Sequence, residues 1–473
     1  MQQPKVVVIG AGSLFFGRQA IWQMVESKHL NGGTIGLVDT NPVTLKRMAS
    51  LAERAIEHRG VKLALEASTD AREVLNGADF VVLSFADRSV KFRGIDCEIA
   101  LKYGVRMCSG DTIGPGGIMR TLRELPKIVE YLKLIEELCP DAWVINYINP
   151  TAANGIGVKL YAPELKSFAL CDGLHMPHVK RRYAIRAGLI DEGEEFDRGF
   201  DEKFTFLIAG PNHFTWLLKA EYEGRDVSGD IADSIRRQAA TETDGGDIGA
   251  KAKYNDAIGA QLYDAFGYVP TCIAHTKEYV RFWQGLGRSP EPIESLSIWE
   301  PAERYPRHAE MSDEVDGYAM GVEAMERFFE RTGADHATDI IETMWSGLDK
   351  SFFINQPNAA RRNAERPDAV GSNIKTISNM PDDAFLEILC RPTMDGLQPV
   401  PIGEAPIGLR GLWQQVLDAH ELSARAAMNC DRDLLYRAFL CDPLVSSLAD
   451  SAAMIEELLE AERDALPGGW SRD

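Results

Sequence analysis

Short apolar runs recur along the first part of the chain, separated by longer stretches in which apolar and polar residues mix. Lys5 to Ile9 (KVVVI), Thr34 to Val38 (TIGLV), Phe80 to Phe85 (FVVLSF), Trp143 to Tyr147 (WVINY) and Ser167 to Leu170 (SFAL) are such runs. Continuous apolar segments of this length suit strands buried on both faces of a parallel sheet. Between them the spacing turns helical, from about Phe15 to Ser27 and from Pro42 to about Arg59, where Leu45, Met48, Ala49 and Ala52 share one face. Strands alternating with helices predict an α/β fold, a Rossmann-like doubly wound sheet with right-handed crossovers. After about residue 195 the rhythm changes. Lys203 to Ala209 and His213 to Tyr222 alternate and predict an antiparallel hairpin around Gly210-Pro211-Asn212. The remainder reads as mostly helical, including Asp316 to Arg331, Gly408 to Asn429 and about Leu448 to Leu466, closed by Pro467. Thr241 to Gly249 is polar and glycine-rich and predicts a mobile loop.

Length supports that division. A chain of 473 residues exceeds one ordinary core, so two domains are expected, 1–195 and 196–473, the second α+β and mostly helical. The net charge of -20 argues against nucleic acid or an anionic membrane as partner, while leaving room for a local basic pocket around a small anion. Eight cysteines without paired spacing predict free thiols in a reducing compartment. No apolar signal region precedes the first strand and no run is long enough to span a bilayer, so the expectation is a cytoplasmic protein.

Gly10-Ala11-Gly12-Ser13 lies between a strand and a helix, where a pyrophosphate can approach backbone amides and the helix dipole. Asp39 ends the next strand, at the spacing from which a carboxylate accepts the ribose hydroxyls of NAD rather than NADP. The third glycine of the usual fingerprint is replaced by Phe15, with Gly17 two residues later.

Three further stretches carry candidate chemistry. Ser109 to Gly117 (SGDTIGPGG) leads into a helix with Arg120 and Arg123, and reads equally as a loop and helix cap. Asn146-Tyr147-Ile148-Asn149-Pro150 ends a strand at the sheet's carboxyl edge. Leu170 to His178 (LCDGLHMPH) holds a cysteine, an aspartate and two histidines. A closed structural zinc site needs a fourth ligand nearby, and Cys139 and Cys272 are distant in sequence. An open site completed by a distant residue stays in play.

Together these stretches resemble the NAD-dependent family 4 glycoside hydrolases, distant relatives of the lactate and malate dehydrogenases. The resemblance rests on GAGS, Arg93-x2-Asp96, Lys102-Tyr103-Gly104-Val105, SGDTIGPGGIMRTLRELP, LCPDAWVINYINP and Cys171-Asp172. It continues through Gly210-Pro211-Asn212-His213-Phe214, Met380-Pro381-Asp382-Asp383 and Cys441-Asp442-Pro443-Leu444-Val445, in the family's order over nearly the full chain.

The resemblance implies a glycosidase that binds NAD+ through Gly10, Gly12, Ser13, Asp39 and Asn149, and Mn2+ or another divalent metal through Cys171 and His213. Asn149, Asp172, His175, Lys277 and Arg281 are the implied substrate contacts, with His178 structural. It implies oxidation of the sugar at C3, removal of the C2 proton, elimination of the aglycone, addition of water and re-reduction by the same cofactor. Tyr279 matches the family's base at C2 and needs a cation, Arg281 or the metal, to lower a phenol that titrates near 10. Asp111 matches the family's acid, with a pKa expected to be raised by burial beside other carboxylates, and His275 is its rival. Lys277, Arg281 and Lys180 to Arg182 hint at an anionic sugar, a sulfoquinovoside first, then a uronide, a 6-phospho sugar or a neutral α-galactoside. The expected assembly is a homodimer or homotetramer, and the competing reading an ordinary NAD-dependent dehydrogenase.

Overall fold

The computed structural model describes residues 3–86, 88–107, 109–174, 176, 178–194, 198–240, 247–283, 301–333, 336–359 and 375–470. Six parallel strands form its first half: β1 (Lys5–Ile9), β2 (Thr34–Val38), β3 (Ala64–Ser68), β4 (Phe80–Leu83), β5 (Trp143–Asn146) and β6 (Lys166–Ala169). They lie in the order β6-β5-β4-β1-β2-β3, so the winding reverses between β1 and β4. Ligands of open α/β sheets bind beyond the carboxyl ends at such a reversal. The helix Pro42–Arg59 shows why the local sequence folds as it does. The Asn41 side chain accepts the amides of Val43 and Thr44, Pro42 pre-sets the first turn, and Gly60 closes the helix at φ 64°.

The second half is less helical than its sequence suggests. Besides the expected hairpin of β7 (Phe204–Gly210) and β8 (Trp216–Tyr222) it contains β9 (Arg225–Asp226), β10 (Val269–Pro270), β11 (Phe352–Pro357), β12 (Phe385–Thr393) and β13 (Gly396–Pro399). All join one continuous sheet with the first six, because β11 pairs antiparallel with β6. The segment Asp316 to Arg331 is two helices, Pro301–Met320 and Met325–Arg331, with Gly321 between them at φ 75°. Of the loop expected at Thr241 to Gly249, residues 241–246 lie outside the described residues and Asp247 opens the helix Asp247–Phe266.

One transverse row of the sheet organises everything that follows. Val38 pairs with Ile9, Ile9 with Leu83, Leu83 with Asn146, Asn146 with Ala169, Ala169 with Asn355, Asn355 with Glu387 and Glu387 with Gly210. Asp39, Gly10, Asn149, Cys171 and His213 each stand one to three residues beyond this row. The strands stack these sequence-distant residues at one edge because their registers are fixed by burial.

The C-terminal helices close the molecule over the nucleotide half. Ala424, Ala427, Phe439 and Leu458 share a core with Ile118, Leu122, Leu125 and Val144. Each of the Phe, Leu, Ile and Val side chains among them contributes about 1.5–3 kcal/mol by leaving water. Asp442 extends this contact to the site, since its carboxylate accepts the Gly114 amide at 2.8 Å and the Leu444 amide at 2.9 Å. Among the described residues no helix is long and apolar enough to cross a membrane.

Candidate active site

The glycine turn after β1 is built by steric necessity. Gly10 has φ 88°, and a Cβ there would sit 2.7 Å from the Ser84 carbonyl and the Phe85 nitrogen. A Cβ on Gly12 would lie 2.6 Å from the Asp39 carboxylate, and one on Gly17 only 2.1 Å from the Ala11 carbonyl. Gly17 therefore performs the close helix packing that the displaced third glycine performs elsewhere. Ser13 Oγ accepts the Phe16 amide at 3.2 Å, at the first residue of the following helix. Asp39 accepts the Gly12 amide at 2.8 Å, the Asn41 amide at 2.9 Å and the Thr44 hydroxyl at 3.2 Å. It organises the turn and the start of the following helix.

Beyond β5, the loops Ser109–Gly117 and Asn146–Pro150 meet. Asp111 takes Arg120 Nη1 at 2.7 Å, Arg93 Nη1 at 3.3 Å and Asn149 Nδ2 at 3.4 Å on one carboxylate oxygen, and the Ser109 hydroxyl at 2.8 Å on the other. Burial works against its charge, but the Arg93 and Arg120 guanidiniums outweigh burial and hold the carboxyl well below the usual range. This corrects the expectation of a raised Asp111 pKa: its neighbours are arginines, and an ionised Asp111 has no proton to give. Asn149 also accepts the Thr151 hydroxyl at 2.7 Å, and the Asn149–Pro150 bond is cis.

The thiol of Cys171 and the ring of His213, the pair that the family resemblance implies, meet. Cys171 Sγ is 3.1 Å from His213 Nε2, close to the ~3.5 Å between S and N ligands of one tetrahedral ion. His213 sits in the left-handed region at φ 61°, uncommon for a residue with a side chain. Burial, then the neighbouring His275, lower its pKa well below the ordinary histidine value, so the ring is neutral and ready to ligate. Glu387 of β12 holds this turn from below, accepting Asn212 Nδ2 at 3.5 Å. Burial pushes Glu387 up to about 8.

A third group arrives from the segment Cys272 to Tyr279. Cys272 Sγ lies 3.4 Å from His213 Nδ1, and the His275 ring stacks on His213 at 4.1 Å. His275 Nδ1 meets Glu278 Oε1 at 3.2 Å. Glu278 is fully buried and also accepts the Ser109 amide at 2.9 Å, the Ser109 hydroxyl at 2.8 Å and the Thr112 hydroxyl at 3.1 Å. Burial opposes its charge, while His275 and Ser109 lower its pKa below the usual carboxylate value.

Tyr279 is buried and stacked on Phe214, with ring centroids 5.1 Å apart. Burial raises its phenol well above 10; a hydrogen bond with Thr112 opposes this, and the negative side of Glu278, Cys272 and Asp111 adds to it. Arg281 does not act on it: this side chain is exposed at the start of the turn Arg281–Trp283. The expected depression by Arg281 is thus corrected, because the chain turns outward after Val280. Lys277 is buried. Asp172 begins a short helical turn, Asp172–Leu174, while His175 lies outside the described residues and His178 is exposed at the start of the helix His178–Arg186. Sequence reasoning gave no role to Cys272, Glu278 or Glu387. The only cue was the His275-x2-Glu278 spacing, one helical turn apart.

The family 4 glycosyl hydrolase profile matches residues 5–180, and that of the family's C-terminal domain matches residues 208–445. The chain is 29% identical to an α-galactosidase of Bacillus subtilis (strain 168) over 98% of this chain and 99% of that one. It is 25% identical to an α-galacturonidase of Lachnoclostridium phytofermentans over 99% and 97%. Among solved structures, a 6-phospho-α-glucosidase from gut microorganisms in complex with NAD and Mn2+ superposes with TM-score 0.76 at 18% identity, covering 98% of this chain and 99% of that one. A 6-phospho-β-glucosidase of Thermotoga maritima with manganese, NAD+ and glucose-6-phosphate superposes with TM-score 0.73 at 20% identity, covering 98% and 99%. Two profile matches spanning most of the sequence, on a fold shared with these enzymes, place the chain in the family 4 glycosyl hydrolases, and it is a glycosidase.

Proposed function

We propose that this glycosidase uses NAD+ and a divalent cation, Mn2+ foremost, to cleave an α-glycoside of an anionic hexose. The observation that carries the reading is the convergence of the Gly10 turn, the Asp111–Asn149 contact and the Cys171–His213 pair beyond one row of the sheet. Gly10, Gly12, Ser13 and Asp39 would hold the dinucleotide, where no side chain fits between Gly12 and Asp39. Cys171 and His213 would hold the cation, their sulfur and nitrogen already at ligand separation. When bound, the two groups supply a reversible hydride acceptor and a Lewis acid for adjacent sugar oxygens.

The remaining roles fall to this chain's own residues. Tyr279 removes the proton at C2; its buried phenol needs the positive charge of the bound cation to do so near neutral pH. His275, oriented by Glu278, donates a proton to the departing oxygen. Asp111 stays ionised and positions Arg93, Arg120 and Asn149. Lys277, Arg281, Asp172 and His175 are the residues we assign to substrate. For that sugar we take a uronide or a sulfoquinovoside. The α-galacturonidase relatives favour the uronide, and the 29% identical α-galactosidase favours a second reading, a neutral α-galactoside.

We also propose the division into 1–195 and 196–473, supported by the interval between the two profile matches. Seven cysteines among the described residues are free thiols, which suits a cytoplasmic enzyme. A homodimer or homotetramer completes the proposal. The test is a panel of p-nitrophenyl glycosides with and without NAD+ and Mn2+. Nitrophenol release that needs NAD+ without net NADH supports the reading, and steady NADH formation from a free sugar sinks it.

A further inference from the structure

We infer that His213, Cys272 and His275 form a second metal position, beside the Cys171–His213 pair, that takes a borderline ion such as Zn2+ or Co2+. Among the described residues these three are the group of histidine, cysteine and acidic side chains whose ligand atoms all lie within 4.8 Å of one another. Cys171 Sγ lies 3.1 Å from His213 Nε2 and 3.9 Å from Nδ1, and Cys272 Sγ lies 3.4 Å from Nδ1.

The surroundings of His275 are those of a metal-bound histidine. Its Nδ1 meets the buried Glu278 carboxylate at 3.2 Å, which leaves Nε2 for an ion. Ligating histidines commonly give their other ring N–H to a carboxylate, which fixes the tautomer and strengthens the nitrogen as a donor. Glu278 is itself fixed by Ser109 and Thr112. The backbone is ready too, since the Cys272 carbonyl accepts the amides of His275 at 3.0 Å and Thr276 at 2.8 Å. The His275 ring stacks on His213 with centroids 4.1 Å apart, so sharing one ion requires the two imidazoles to turn out of that stack.

The donor set decides the ion. One thiolate and two imidazoles favour zinc, cobalt or ferrous iron over the oxygen-seeking manganese. On binding, the Cys272 thiol loses its proton to solvent, and an open coordination position remains for water. A neutral imidazole binds one ion through one nitrogen and keeps a proton on the other. The two positions are therefore mutually exclusive: an ion on Cys272 takes His213 from Cys171, and takes His275 from proton transfer. Zinc should then oppose manganese at this enzyme.

The inference shares His213 with the proposed cation site but is read without substrate, so its fate is separate from that of the glycosidase reading. Reduced protein freed of metal is titrated with Co2+ in the wild type, in Cys171→Ser, and in Cys171→Ser combined with Cys272→Ser or with His275→Asn, with circular dichroism confirming the fold of each. The expected result is a sulfur-to-cobalt charge-transfer band that survives Cys171→Ser, is lost when Cys272→Ser is added to Cys171→Ser, and binds at least tenfold more weakly when His275→Asn is added to Cys171→Ser. A band lost in Cys171→Ser alone, or kept in the double variant without Cys272, overturns the inference.

Discussion

Cys171 and His213 come within 3.1 Å of each other at the ends of two strands, β6 and β7, that never pair. Asn355 and Glu387 lie between them in the sheet, and the register through both fixes the distance. Removing one ligand should therefore disturb the ion and leave the scaffold. Cys171→Ser is expected to lose at least a hundredfold in Mn2+-dependent activity while its melting temperature stays near that of the wild type, because an open site is not a folding scaffold. Activity assays after chelation and Mn2+ return, alongside thermal denaturation, check both halves.

Asp39 should matter twice. Replacing it with Ala removes a carboxylate from the proposed ribose side, one hydrogen bond from the glycine turn and two from the start of the next helix. NAD+ affinity is expected to fall by about 1.5–3 kcal/mol, roughly ten- to a hundredfold. Isothermal calorimetry reads this directly, and unchanged affinity would remove Asp39 from the site.

The nucleotide half was legible because its strands are continuous apolar runs and its turn is glycine-marked. Ala64–Ser68 was missed: Ala and Glu are weak strand formers, and the strand is a half-exposed edge. Phe385–Thr393 was missed because Leu, Glu and Ile suit a helix as well as a strand, and only pairing with β7 and β11 decides. The same pairing explains why Glu387 escaped notice. Asp111 was found but its ionisation misjudged, since Arg93 and Arg120 arrive from positions that sequence alone does not orient toward it. Cys272 was seen and set aside for its distance in sequence from Cys171. The sheet removes that distance.

The assignment of acid to His275 and not Asp111 predicts different sensitivity to the leaving group. A nitrophenolate needs little protonation, whereas an alkoxide needs it fully. His275→Ala should slow alkyl glycosides by a factor of about 10²–10⁴ while sparing nitrophenyl glycosides. Asp111→Asn should impair both alike, because it disturbs Arg93, Arg120 and Asn149. Comparing kcat/KM for the two substrate types in each variant distinguishes the roles.

Asp442 gives a pH-dependent prediction for stability. Burial raises its carboxyl to about 7, against the hydrogen bonds from Leu444 and Gly114. The folded state then binds more protons than the unfolded chain between about pH 4, where a free aspartate titrates, and about pH 7. Stability from this group is greatest below that window and falls as pH rises through it, on the order of a few kcal/mol. Asp442→Asn lacks the titration, so denaturant unfolding should show the wild type losing ground to the variant as pH rises from about 4 to 7. A difference that does not change with pH would contradict this.

The central claim is that cleavage proceeds by removal of the C2 proton with Tyr279 as base. Turnover of a substrate glycoside in D2O, with NAD+ and Mn2+ present, followed by NMR of the released sugar, tests it most directly. The account predicts deuterium at C2, and a Tyr279→Phe variant that keeps its packing on Phe214 but loses most of its rate. A sugar released at full rate with only hydrogen at C2 would contradict the account.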